Sequence, residues 1–113
     1  MPTDLIHQRC VACEGGEPPL TTEEIEQLKP EVPTWSVRTV DGHPSLGKTF
    51  QCKDFVGSID FVNKVKNVAE GEGHHPDISI HWNKVRLENW THATGGLHKN
   101  DFILAAKIDQ LEK

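Results

Sequence analysis

Apolar and polar positions change period several times along the chain. From Thr21, TEEIEQLK carries Ile25 and Leu28 at helical spacing, and Thr21 with Glu24 has the spacing of a capping box. Pro30 ends that helix. WSVRTV then alternates, as a half-buried strand does, and Asp41-Gly42 signals a turn that His43-Pro44 lengthens into a loop. A second strand is expected over about 46–52, with Leu46, Lys48, Phe50 and Cys52 on one side.

Asp54 is an N-cap candidate for a long helix, DFVGSIDFVNKVKNVAE. Its expected buried stripe is Phe55, Ile59, Val62, Val65 and Ala69, widened by Phe61 and Val68. Gly71 and Gly73 end it. DISIHWNKVRLENWTH reads as a hairpin turning at Asn83-Lys84, and Gly95-Gly96 break the chain again. HKNDFILAAKIDQLEK is the last helix, with His98 as N-cap, Asp101 in the first turn, and a stripe of Leu104, Ile108 and Leu111. Strand pairs separated by one helix predict an α+β domain, an antiparallel sheet with helices on one face. Residues 1–20, with no periodicity, are expected to form an irregular arm before a single domain over 21–113.

Composition narrows the picture. At 113 residues and 35% hydrophobic, the chain fits one core. A net charge of −5 does not suggest nucleic-acid binding, and no apolar run nears the roughly 18 residues of a membrane span. The first ten residues lack the layout of a secretory leader, so a cytoplasmic protein is expected. Cys10, Cys13 and Cys52 do not form a disulfide framework. Cys10 and Cys13 make a C-x-x-C pair after His7, but no second pair completes a zinc site and glycines and prolines follow at once.

The candidate chemistry lies in EGEGHHPD and NWTHATGG, which bring His74, His75 and His92 to loop and strand ends. Glu70 stands on the last turn of a helix, where the dipole disfavours a carboxylate. Adjacent histidines entering a strand point to opposite sides, which is awkward for one metal ion, and no H-E-x-x-H helix is present. Ser79 and Cys52 lack any local signature of a nucleophile. A structural role and metal-free proton transfer both stay open, the latter as elimination of water with one imidazole as acid and another as base. His7, His43, His81 and His98 read as bystanders.

Glu70, then His74-His75-Pro76, Trp82, His92 and Asp101, with WNKV after the His-His-Pro strand and KDF opening the long helix, resemble the signature of the pterin-4a-carbinolamine dehydratases. The resemblance runs from about Thr21 to Lys113. It implies the order α-β-β-α-β-β-α with a four-stranded antiparallel sheet. It also implies dehydration of a 4a-hydroxytetrahydropterin to the quinonoid dihydropterin without a cofactor or metal, in recycling of the reduced pterin beside an aromatic amino-acid hydroxylase. By the same resemblance His74, His75 and His92 are catalytic. Glu70, Pro76, Thr91, Ala93, Thr94 and Trp35 line or orient the pterin site, and Asp101 is a helix cap. A homodimer or homotetramer is expected, with no membrane or nucleic-acid partner. The other reading the resemblance carries is a binding module: a pterin binder without turnover, or a dimerisation partner of a transcription factor. Gly73 departs from the polar residue usual in relatives before the histidine pair, and His98 from the usual Ser or Thr cap.

Overall fold

The computed structural model describes residues 5–8, 10 and 18–111. Helix α1 is Thr22–Leu28, and its capping box is present: Thr21 Oγ1 accepts from the Glu24 N–H (3.2 Å) and Glu24 Oε1 from the Thr21 N–H (2.9 Å). A 3-10 turn over Lys29–Glu31 follows, in which Pro30 needs no N–H.

Strands β1 (Ser36–Val40) and β2 (His43–Gln51) form a hairpin. The loop is Asp41-Gly42 alone, with φ of 51° and 83°. The expected longer loop is therefore a correction: His43 pairs with Val40 and Pro44 with Thr39. Pairs alternate between bonded and non-bonded, so beside a two-residue turn Pro44 falls where its missing N–H would point away from β1. On its other side β2 meets the next strand only from Leu46 onward.

Helix α2 (Phe55–Glu72) is capped by Asp54, whose Oδ1 accepts from the Gly57 N–H at 2.8 Å. Its buried face is Ser58, Phe61, Val65 and Ala69, with Val62 and Val68 partly covered. The expected stripe is corrected here: Phe55 is 52% exposed and Ile59 36%. The helix has apolar residues on two faces, and packing chose the one led by Phe61.

Strands β3 (Asp77–His81) and β4 (Lys84–Asn89) form the second hairpin. Its turn is Trp82-Asn83, one residue earlier than expected, with Trp82 at φ 53° and His81 paired with Lys84. The four strands are antiparallel in the order β1-β2-β4-β3. Leu46, Phe50, Val85 and Leu87 share the face that the helices cover. Helix α3 (Lys99–Asp109) is buried over most of its circumference, because it also packs on α2 and on a 3-10 turn at Leu5–His7 that puts Leu5 in the core.

The other face of the sheet is polar. Glu88 Oε1 accepts from Arg38 Nη2 (2.9 Å) and Arg86 Nε (2.9 Å), and Oε2 accepts from Ser45 Oγ (2.8 Å). Burial pushes the Glu88 carboxyl up, but these hydrogen bonds outweigh it and hold it below the usual carboxylate value. The network crosses β2 at Gly47, where a Cβ would stand 2.4 Å from Arg86 Nη2 and 2.5 Å from Glu88 Oε2.

Candidate active site

The end of α2 sets the histidine pair. Gly73 takes φ 66°, and its N–H reaches the Glu70 carbonyl (3.3 Å) while the His74 N–H reaches that of Ala69 (3.2 Å). This is the Schellman pattern, which reverses the chain within two residues. Pro76 then favours extended backbone at His75, and β3 starts at Asp77. Helix gives way to strand over 73–76, so both imidazoles are delivered at one end of the sheet.

His74 turns inward. Its Nε2 is 2.6 Å from Asp101 Oδ1, on a carboxylate that is fully buried. Asp101 Oδ2 accepts from Thr91 Oγ1 (2.9 Å) and from the His98 N–H (2.9 Å). The His98 ring returns the capping interaction, its Nδ1 accepting from the Asn100 N–H at 3.0 Å. Asp101 takes its expected place in the first turn of α3, closing the capping box through Oδ2, while Oδ1 holds the His74 imidazole. His75 faces solvent, and its Nε2 is 2.9 Å from Glu70 Oε1.

The third imidazole comes from the chain after β4. The Thr91 N–H bonds the Gly96 carbonyl (2.8 Å), and the N–H groups of Thr94 and Gly95 turn back to the Thr91 carbonyl. His92 leads this turn, tilted against the Trp90 ring with centroids 3.8 Å apart. A pocket of about 340 Å³ lies between the two segments, lined by Gly73, His74, His75, Pro76 and Asp77 from one and by Trp90, Thr91 and His92 from the other. The trio from two distant stretches of sequence therefore shares one pocket.

Of the other expected site residues, Pro76 and Thr91 line the pocket, and the rest fall elsewhere. Glu70 is outside the pocket lining and touches the site through His75. The Thr91 hydroxyl is engaged by Asp101, and Ala93 and Thr94 lie farther round the turn, outside the pocket lining. Trp35 does not wall the pocket: it is 1% exposed, its N–H on the Asp109 carboxylate (3.0 Å) and its ring edge-on to Phe50. Asp77 and Trp90 in the pocket lining, and His43 stacked on Trp90 outside it, were not among the expected residues. Trp90 is two residues from His92 in extended chain, a spacing that puts both on one side; nothing local marks His43.

A larger hollow, about 410 Å³ at the start of α2, is lined by residues such as Lys53, Asp54, Asp60 and Lys64 and holds none of the histidines. Cys10 belongs to neither. Its N–H bonds Glu72 Oε1 (2.8 Å), and burial, then the Glu72 charge, push its thiol up to about 12. Cys13 lies outside the described residues. Among the described residues no group of three or more His, Cys, Asp or Glu is arranged to hold a metal ion, and no helix is long and apolar enough to cross a membrane.

Fold and pocket together define a small α+β protein with three histidines lining one pocket. The family model for pterin 4 alpha carbinolamine dehydratase matches residues 18–111. A protein of Methylococcus capsulatus, named as a candidate pterin-4-alpha-carbinolamine dehydratase, is 48% identical over 107 residues, covering 95% of this chain and 92% of that protein. One of Chlorobium limicola with the same name is 44% identical over 110 residues, 97% of each chain. A crystal structure described as a transcriptional coactivator/pterin dehydratase from Brucella melitensis matches with a TM-score of 0.72 at 27% identity, over 80% of this chain and 95% of that one. A pterin dehydratase-like RuBisCO assembly factor of the alpha-carboxysome shares the fold, with a TM-score of 0.56 at 23% identity over 67% of this chain and 86% of its own. The chain belongs to the pterin 4 alpha carbinolamine dehydratase family.

Proposed function

We propose that this pocket dehydrates a 4a-hydroxytetrahydropterin to the quinonoid dihydropterin by general acid–base catalysis. The substrate loses its C4a hydroxyl as water and its N5 proton, and a C4a–N5 double bond forms, with no change in oxidation state. The observation that carries the reading is the pairing of two pocket imidazoles with carboxylates, His74 with Asp101 and His75 with Glu70. A carboxylate on Nε2 leaves Nδ1 to meet the substrate, and it stabilises the imidazolium that proton transfer creates.

In this reading His75 takes the N5 proton, with the charge on Glu70 across a solvent-facing pair. His74 and His92 protonate the departing hydroxyl, each serving one face of the pterin. Pro76 and the Thr91 segment shape the pocket wall. A cytoplasmic setting, and an aromatic amino-acid hydroxylase that supplies the carbinolamine, go with this reading. A self-associated form goes with it too: β3 is an edge strand, and Phe55, Val56, Ile59 and Trp82 are exposed apolar side chains.

The test is the ultraviolet decay of a freshly generated 4a-hydroxytetrahydropterin. Acceleration by the wild-type protein, lost in His75→Ala with the fold intact, is the expected result. No acceleration above buffer sinks the enzyme reading and favours a pterin-binding or coactivator module. Near-full activity in a folded His75→Ala removes His75 as the base.

A further inference from the structure

The three imidazoles are held by different devices. His74 and His75 each lean on a carboxylate. Among the described residues no side chain hydrogen-bonds the imidazole of His92. What touches it is the Trp90 ring, centroids 3.8 Å apart at a tilt of 36°. Trp90 is in turn stacked on His43, centroids 3.6 Å apart at 21°. Two rings that near one indole cannot share a face, so His43 and His92 lie on opposite sides of it. The indole edge is tied as well, its Nε1–H donating to Asp77 Oδ2 at 3.3 Å. His43 sits on β2 beside the tight Asp41-Gly42 turn, so the stack is anchored in the sheet.

We infer that Trp90, backed by His43, is the positioning residue for His92. An exposed imidazole on a turn otherwise samples several rotamers, and proton transfer needs the donor nitrogen within hydrogen-bond reach of its target. Stacking against a clamped indole narrows that choice without using either ring nitrogen, so both stay available for the proton. With both faces covered, Trp90 offers no shelf for a flat ligand; its part is to aim its neighbour. The kinetic part of this inference rests on the dehydratase reading, and the placement of His92 does not.

The experiment pairs ring-proton NMR of ¹³C-histidine-labelled protein with carbinolamine turnover, in wild type, Trp90→Ala, Trp90→Phe and His43→Ala. In the wild type the indole ring current displaces the His92 signals from the free-imidazole position. Trp90→Ala returns them there while the His74 and His75 signals hold still, which also certifies the fold. The kcat then falls about tenfold with KM little changed, a loss in keeping with misplacing one acid–base group. Trp90→Phe restores both signal and kcat. His43→Ala, altered outside the pocket, moves the His92 signals part of the way. Unmoved His92 signals in Trp90→Ala overturn the inference, and so do moved signals with unchanged kcat. If even the wild type shows no turnover, the dehydratase reading fails while the NMR still decides whether Trp90 places His92.

Discussion

His74 Nε2 and Asp101 Oδ1 stand 2.6 Å apart, joining the turn after α2 to the first turn of α3 across 27 residues of sequence. The carboxylate is fully buried and accepts three hydrogen bonds, so it fixes helix start, Thr91 and His74 together. Asp101→Asn keeps the size and removes the charge. It is expected to lower kcat at least tenfold and to cost about 2 kcal/mol of stability, since hydrogen bonds to charged groups are the stronger kind. Turnover and urea midpoints check this; unchanged kcat would leave Asp101 a cap and nothing more.

Glu70 with His75 makes the contrasting case. Their side chains are 72% and 59% exposed, so the pair is worth little to folding. Glu70→Gln is expected to leave the denaturant midpoint within error of wild type while slowing turnover several-fold. A clear loss of stability with full activity would reverse that assignment.

Gly47 is required by the ion-pair network lying across it. Gly47→Ala puts a methyl where Arg86 and Glu88 meet, and both side chains are tethered to further partners. A loss of about 1 kcal/mol is expected. Combined with Glu88→Ala, which empties the space, the two costs should fall short of their sum. Strict additivity in a double-mutant cycle would refute the argument.

The depressed Glu88 carboxyl gives a pH dependence of known sign. Its folded value lies below the ordinary 4.5, so the stabilisation is present above that pH and is lost as pH falls through the lower, folded value. Stability measured from pH 6 down to about 3 should decline less steeply in Glu88→Gln than in wild type. Parallel curves would show that the network does not bias this titration.

The Cys10 thiol, raised to about 12, carries almost no thiolate near neutrality. Iodoacetamide at pH 7.5 should label Cys10 far more slowly in the folded protein than in urea, read by peptide mass spectrometry. Fast labelling in the folded state would contradict the burial beside Glu72.

Much of the local frame is legible in the chain. Thr21 with Glu24, Asp54 with Gly57, and Gly73 at the end of α2 are contacts within a few residues, where residue type and spacing settle the geometry. The alternation in β1–β4 and the helical periods gave the α+β order for the same reason. So did the histidine trio as candidates, because three imidazoles beside glycine-bearing turns are a local pattern.

The remainder needed the tertiary fold. Which face of α2 is buried depends on what it meets, and Phe55 and Ile59 satisfy the period as well as Phe61 and Val65 do. The Asp101–His74 bond, the His43–Trp90 stack and the Trp35–Asp109 hydrogen bond join residues 27, 47 and 74 positions apart. Such meetings are set by strand register and by how helices seat on the sheet. A one-residue change of register moves every side chain of a strand to the other face while the local pattern of the sequence stays the same.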